Sequence, residues 1–333
     1  MKRLPTKKRK SLQVAVVLFK AAVLLGTGIF LYIRVFQDDH WDQVAEMWST
    51  SLAQPSAWIP LLLTILLVPV NWGIEAYKWQ NLMLGLERLS PFRAFKAIWA
   101  GVNVSVFTPN RTGEFAGRLL FVHPRNRWKS ILPSVLCSFA QLVVTVTLGC
   151  VALLFYVNRY WQDTVPAYVQ TILIFALLLL SVLLVVLYIY ARLINRILQR
   201  FPRLWKRIRT FFRLLFLLKP VQLARILGWS TLRYTVYCTQ FFLLLYFFQT
   251  GITLSDALVL IPLNYLAITA IPSIALAELG IREGVALVFL GMASTHNTGI
   301  VAATFVLWLM NIALPALVGS VFVQQARLLN GKP

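Results

Sequence analysis

The 333-residue chain is 59% apolar and only 13% charged, and its 32 Lys and Arg against 11 Asp and Glu give a formal net charge of +21. A soluble domain carries about a quarter charged residues, because its surface faces water, so this composition excludes a soluble catalytic or binding domain as the main body. Cys137, Cys150 and Cys238 sit inside apolar runs, and His40, His123 and His296 are far apart in sequence, a distribution that argues against a disulfide framework or a zinc site and calls for no metal and no cofactor.

A basic N-terminus (Lys2, Arg3, Lys7, Lys8, Arg9, Lys10) runs into an apolar stretch over 14–33. The pairing resembles a signal peptide. The stretch is nonetheless long enough to span, and Asp38-Asp39-His40 follows where a small-residue cleavage site would stand, so the expectation is an uncleaved first helix. Further long apolar spans are expected at 56–74, 131–157, 165–191, 224–249 and 299–323, each near or above the ~20 residues that cross a bilayer core. Two shorter apolar segments, 92–108 and 255–271, each end at a proline among polar residues. The fold class is therefore an all-α polytopic membrane protein. About six full transmembrane helices accompany two broken or re-entrant helical segments, making eight spans if these are counted.

Lys and Arg placement sets the orientation, since basic loops stay in the cytoplasm. With the N-terminus inside, the segments 1–10, 75–96, 111–129, 192–225 and 324–333 hold 27 of the 32 Lys and Arg. Both termini are then cytoplasmic. The run from Arg192 to Arg213, with Phe201, Leu204, Trp205, Ile208, Phe211 and Phe212 interleaved, reads as a basic amphipathic helix within a cytoplasmic segment 192–221. Its 192–219 stretch suits anionic lipid head groups, each base contributing about 1 kcal/mol near an anionic surface. No nucleic-acid module accompanies the charge, so no nucleic-acid partner is expected.

The chemistry-bearing pattern lies in the short segments. The first continues as Thr108-Pro109-Asn110-Arg111-Thr112-Gly113-Glu114 and reaches Arg118; the second continues as Ile271-Pro272-Ser273 and reaches Glu278, Arg282 and Glu283. Proline stops a helix, and Asn110 or Thr112 in one copy and Ser273 in the other are caps for a restart. Spacing i, i+4 places Glu114 with Arg118, and Glu278 with Arg282, on one helical face. Two full crossings precede each broken segment and one follows it. Each half, 1–160 and 161–333, thus holds an odd number of crossings, the arithmetic of an inverted repeat within a single transmembrane domain 1–333.

Ionisable groups at membrane depth face the protein interior or a water-filled cavity. Arg111, Arg118 and Arg282 suit bidentate phosphate contacts, and helix N-termini aimed at a cavity suit anions. Glu114, Glu278 and Glu283 either hold those arginines, receive a cationic head group or carry a proton. The alternative is that each Glu–Arg pair only neutralises itself and fixes the fold, or sits at the interface and snorkels. Asn103 and Ser105 in the first segment, and Asn264, Tyr265 and Thr269 in the second, are placed to line the same cavity. Arg233 either reaches phosphate or snorkels to the surface. Glu75, with Lys78 and Trp79, reads as an interfacial ion pair in an aromatic belt at the end of the second crossing.

The motifs Thr108-Pro109-x-Arg111-x-Gly113-Glu114…Arg118 and Ile271-Pro272…Glu278-Leu279-Gly280-Ile281-Arg282-Glu283 resemble the flippase-like transmembrane domain of the lysylphosphatidylglycerol synthase family, over nearly the whole chain. The resemblance implies movement of an aminoacylated phospholipid between leaflets, and Pro109 and Pro272 of these motifs are counted with the substrate-binding residues. Aminoacyl-transferring members add a large soluble C-terminal domain, which the sequence to Pro333 lacks, so the resemblance does not imply synthase activity. The expectation is a non-enzymatic carrier for a polar or anionic lipid, aminoacylated and glycosylated lipids included, multi-pass in a bacterial inner membrane. Two other readings stand beside it: an intramembrane enzyme acting on a lipid phosphate, for which no nucleophile motif or metal constellation is visible, and a scaffold that docks a cytoplasmic glycosyltransferase through 192–219.

Overall fold

The computed structural model describes residues 41–108, 111–160, 166–190, 200, 218–271 and 275–326. The expected first crossing at 14–33, Pro109, Asn110, Pro272, Ser273 and nearly all of the basic segment 192–221 lie outside these residues. The described residues form helices joined by turns and no strands, as expected. Its helices are α1 (Trp41–Leu52), α2 (Trp58–Met83), α3 (Pro91–Ser105), α4 (Glu114–Leu119), α5 (Arg127–Tyr160), α6 (Ala167–Ile189), α7 (Pro220–Phe247), α8 (Leu254–Ala270), α9 (Ala275–Leu290) and α10 (Asn297–Gln325).

Four described helices are long and apolar enough to cross a membrane: Trp58–Met83, Arg127–Arg159, Tyr168–Ile189 and Asn297–Gln325. The helix expected over 224–249 forms as α7 and is longer than predicted, at 28 residues. It falls outside this apolar class because Gln222, Arg225, Arg233 and Gln240 interrupt its apolar face. The most apolar of the four, Tyr168–Ile189, is only 11% buried and lies at the periphery, whereas Asn297–Gln325 is 78% buried and runs through the centre.

Local chemistry sets the breaks. Ser90 caps α3, its hydroxyl accepting from Arg93 N at 3.3 Å with Pro91 in the first turn. Thr253 caps α8, accepting from Asp256 N at 3.2 Å. Helix α3 ends at Ser105, four residues before Pro109, and α8 ends at Ala270, two before Pro272. Helix α4 does not use Thr112 as its cap: Gly113 holds that position, and its N–H donates to Thr108 Oγ1 at 2.7 Å. The restarted helices also differ, six residues in α4 against sixteen in α9. Within α10, Leu309–Ala313 forms a π turn in which Leu314 N donates to Leu309 O. Pro315 follows, and a proline there has no N–H for the carbonyl of Asn311, four residues back.

The packing repeats itself between the halves. Helix α3 leans on α2 and on the second part of α10; α8 leans on α7 and on α5; and α2 packs along α7. Each short helix thus crosses a long helix of the other half, and a glycine sits at each crossing, as close helix approach requires. A Cβ on Gly319 would collide with the Trp99 carbonyl, and one on Gly149 would come 2.6 Å from the Leu266 Cβ.

Gly319→Ala is therefore expected to cost about 1–3 kcal/mol, read as a lower unfolding midpoint of the detergent-purified protein. Gly149→Ala is expected to cost a similar amount, since the Leu266 Cβ is fixed by its backbone and α8 itself must shift, and Gly228→Ala, with nothing within 4 Å of its Cβ, to cost nothing.

Candidate functional site

Glu75 organises the interior. It lies on α2, is 2% exposed, and meets three cations. Lys78 Nζ is 2.8 Å from Oε2, Arg118 Nη2 of α4 is 3.1 Å from Oε1, and Arg233 Nη1 of α7 is 3.3 Å from Oε2. Arg118 also bonds Glu114, one turn away on the same short helix. Lys78 donates onward to Ser230 Oγ at 2.9 Å, and Arg233 Nε to Asn71 Oδ1 at 3.1 Å. Asn71 Nδ2 reaches Asn311 Oδ1 at 2.9 Å, in the π turn of α10. Two tryptophans of α2 back the arginines: the Arg118 guanidinium lies 5.9 Å from the Trp79 ring and that of Arg233 5.1 Å from Trp72, distances at which cation–π attraction acts.

These contacts correct the expectation for Glu75, Lys78 and Trp79. They form no interfacial belt, since all three are buried, Trp79 completely. The physical reason is register: Asn71, Glu75 and Lys78 fall at i, i+4 and i+7, one stripe of a helix, and that stripe faces α4 and α7 rather than the bilayer surface. Lys78 and Arg118, each 1% exposed, likewise serve inside the bundle and not as loop charge.

The second cluster joins the two broken segments. Arg282 holds Glu278 through Nε at 3.1 Å and Nη2 at 2.8 Å, the expected i, i+4 pair. Arg111 of the first segment reaches the same carboxylate, Nε to Oε1 at 3.5 Å. Arg111 has a φ of 58°, a left-handed conformation that few non-glycine residues adopt and that concentrates at functional sites.

Between the clusters lies a cavity of about 180 Å³ into which Arg111, Arg233 and Arg282 all border, with Asn71, Tyr265 and Thr269 also on its wall. The structure thus brings Arg111, Arg233, Tyr265 and Arg282 together, and settles Arg233 as an inward-facing group. Tyr265 is 7% exposed and packs against Tyr237 and Tyr234 at ring distances of 5.2 and 6.0 Å. Among the described residues its hydroxyl has no hydrogen-bond partner, and neither has Arg111 Nη2.

Other expected residues stand elsewhere. Asn103 is fully buried and donates to the Ala316 carbonyl at 2.9 Å, tying α3 to α10 and not lining the cavity. Ser105 turns back on the Val102 carbonyl. Asn264 borders a separate void of about 10 Å³ beside Tyr265 and Arg282. Glu114, Arg118, Glu278 and Glu283 are off the wall; the first three act through their arginine and carboxylate partners. Pro109 and Pro272 lie outside the described residues. The sequence reading misplaced Glu75 and missed Asn71, Gln141, Thr145, Tyr237 and Asn311. Polar residues repeating at i, i+4 inside an apolar run were the available signal, since Gln141 and Thr145 show it on α5 as Asn71 and Glu75 do on α2.

A second, larger space adjoins the first. A groove of about 910 Å³ runs between α5, α7 and α8, walled by Leu148, Ala152, Phe155, Phe242 and Leu258. Tyr234 borders both spaces. At the α5–α8 end Arg159 and Asp256 are ion-paired at 2.8 Å.

The family model described as the lysylphosphatidylglycerol synthase TM region matches residues 14–319. The chain belongs to that family. No curated protein and no solved structure matches it.

Removing the Glu75 charge leaves three cations facing one another in a buried site, an imbalance of about 3–5 kcal/mol when a buried pair is broken. Glu75→Gln is expected to lower the unfolding midpoint far more than Glu114→Gln, whose carboxylate contacts Arg118 and has a side chain 24% exposed. Equal midpoints for the two variants would show that Glu75 does not hold the bundle together.

Proposed function

We propose that this member of the lysylphosphatidylglycerol synthase TM region family is a flippase- or scramblase-like carrier and not an enzyme. It moves a polar or anionic lipid across a bacterial inner membrane in which both termini are cytoplasmic. The observation that carries the reading is the cavity bordered by Arg111, Arg233 and Arg282 from three separate elements. Planar guanidiniums match phosphate oxygens in pairs, and a cavity inside a membrane bundle keeps them away from hydrocarbon.

The adjoining groove supports a lipid rather than a water-soluble anion. Its walls are mainly apolar and it meets the cavity at Tyr234. A head group in the arginine cavity would leave its acyl chain along α5, α7 and α8. The matching contacts of α3 with α10 and of α8 with α5 support reading 1–160 and 161–333 as an inverted repeat. In such a repeat two symmetry-related arrangements open the same site to opposite leaflets. Arg111 and Glu278, one from each broken segment, then form a contact that breaks and reforms as the halves move.

Leaflet redistribution of fluorescent anionic lipids in proteoliposomes tests this. Wild type is expected to equilibrate the leaflets, Arg111→Ala and Arg282→Ala to slow exchange at least tenfold, and Glu114→Gln, off the cavity wall, to slow it less. If all three move lipid as fast as wild type, the site is misassigned. Lipid mass spectrometry of the same vesicles is expected to show unchanged species, and a new species would make the protein an enzyme. Leu258→Trp, which fills the groove without touching the arginines, is expected to slow long-chain lipids more than short-chain ones.

A further inference from the structure

We propose that the cavity selects a head group of net negative charge, a phosphate ester, and disfavours lipids whose ammonium groups outnumber their phosphates. This rests on the carrier reading above and narrows its substrate class. Three guanidiniums border the cavity, and no described residue on its wall is a carboxylate. The carboxylates behind the wall are committed: Glu75 to Lys78, Arg118 and Arg233, Glu114 to Arg118, and Glu278 to Arg282 and Arg111. Within these contacts five cationic side chains face three carboxylates, and counting the buried Glu283 beside Arg282 still leaves a formal excess of one positive charge that an anion would offset.

An ammonium group brought into this space would lose its water and find only neutral acceptors. The tyrosine faces do not compensate. One guanidinium at contact distance repels an ammonium several-fold more strongly than one ring attracts it, at the dielectric of a partly buried site. A phosphate, by contrast, meets the parts of Arg111, Arg233 and Arg282 that their carboxylate partners leave open to the cavity, the three side chains being 32%, 20% and 14% exposed. The volume, about 180 Å³, is about six times the ~30 Å³ that a water molecule takes in the liquid, room for a phosphate and its first substituents.

The test is displacement of radiolabelled dioctanoyl phosphatidic acid from the full-length protein in phosphatidylcholine nanodiscs. Unlabelled dioctanoyl phosphatidic acid, dioctanoyl phosphatidylglycerol, lysyl-phosphatidylglycerol and inorganic phosphate are the competitors. Phosphatidic acid is expected to bind tightest, and lysyl-phosphatidylglycerol at least tenfold more weakly than phosphatidylglycerol. Arg282→Gln is expected to weaken phosphatidic acid at least tenfold, and Arg111→Lys less than threefold. The wild-type series needs no variant to fold. Lysyl-phosphatidylglycerol binding as tightly as phosphatidic acid overturns the selectivity, even if the protein transports lipid, and so does the absence of specific binding by every lipid. Inorganic phosphate competing as well as the lipids keeps the anion preference but removes the lipid carrier. Selective lipid binding without redistribution in proteoliposomes likewise leaves the selectivity standing and sinks transport.

Discussion

A carboxylate sealed inside a protein persists only where compensating charge surrounds it, and Glu75 draws that charge from three helices. Lys78 comes from its own helix, Arg118 from α4 and Arg233 from α7. Because each cation must arrive within about 3 Å of the same two oxygens, the carboxylate fixes how α2, α4 and α7 lie against one another. Asn71 and Asn311 extend the constraint to α10. The short helix α4, at six residues too brief to be stable alone, is held by Arg118 at one end of this network and by its close approach to α3.

The same network explains why the cavity is electropositive. Arg233 is oriented by Glu75 and Asn71, and Arg282 and Arg111 by Glu278. Holding arginines with carboxylates placed behind them keeps the guanidiniums ordered while leaving part of each turned to the cavity, the arrangement that preorganised anion sites share. A fully neutralised cluster would only brace the fold. Here the cations exceed the carboxylates, and the polar space meets an apolar groove at Tyr234. A lipid has those two parts, charged and apolar, joined at one point.

Much of this was legible in the sequence because membrane helices obey simple constraints. Apolar length located the helices found over 56–74, 131–157, 165–191, 224–249 and 299–323, and proline marked both breaks within a few residues. The i, i+4 spacing foretold that Glu114 would hold Arg118 and Glu278 would hold Arg282. The hub was hidden by its neighbours: Glu75 and Lys78 stand beside Trp72, Tyr77 and Trp79, a mixture that reads equally as an interfacial belt, and only the faces presented to α4 and α7 decide otherwise. Asn103 misled for the converse reason, since a polar residue beside a break can serve a neighbouring backbone carbonyl as well as a cavity. Contacts across long stretches of sequence, such as Asn71 with Asn311 or Arg111 with Glu278, have no local signature at all.

The most direct measurement is an experimental density map of the full-length protein in nanodiscs containing anionic phospholipid. The account predicts phosphate density in the cavity, within hydrogen-bonding distance of at least two of Arg111, Arg233 and Arg282, with chain density following the groove past Tyr234. A cavity filled by water alone, with every resolved phosphate at the bilayer surface, would contradict it.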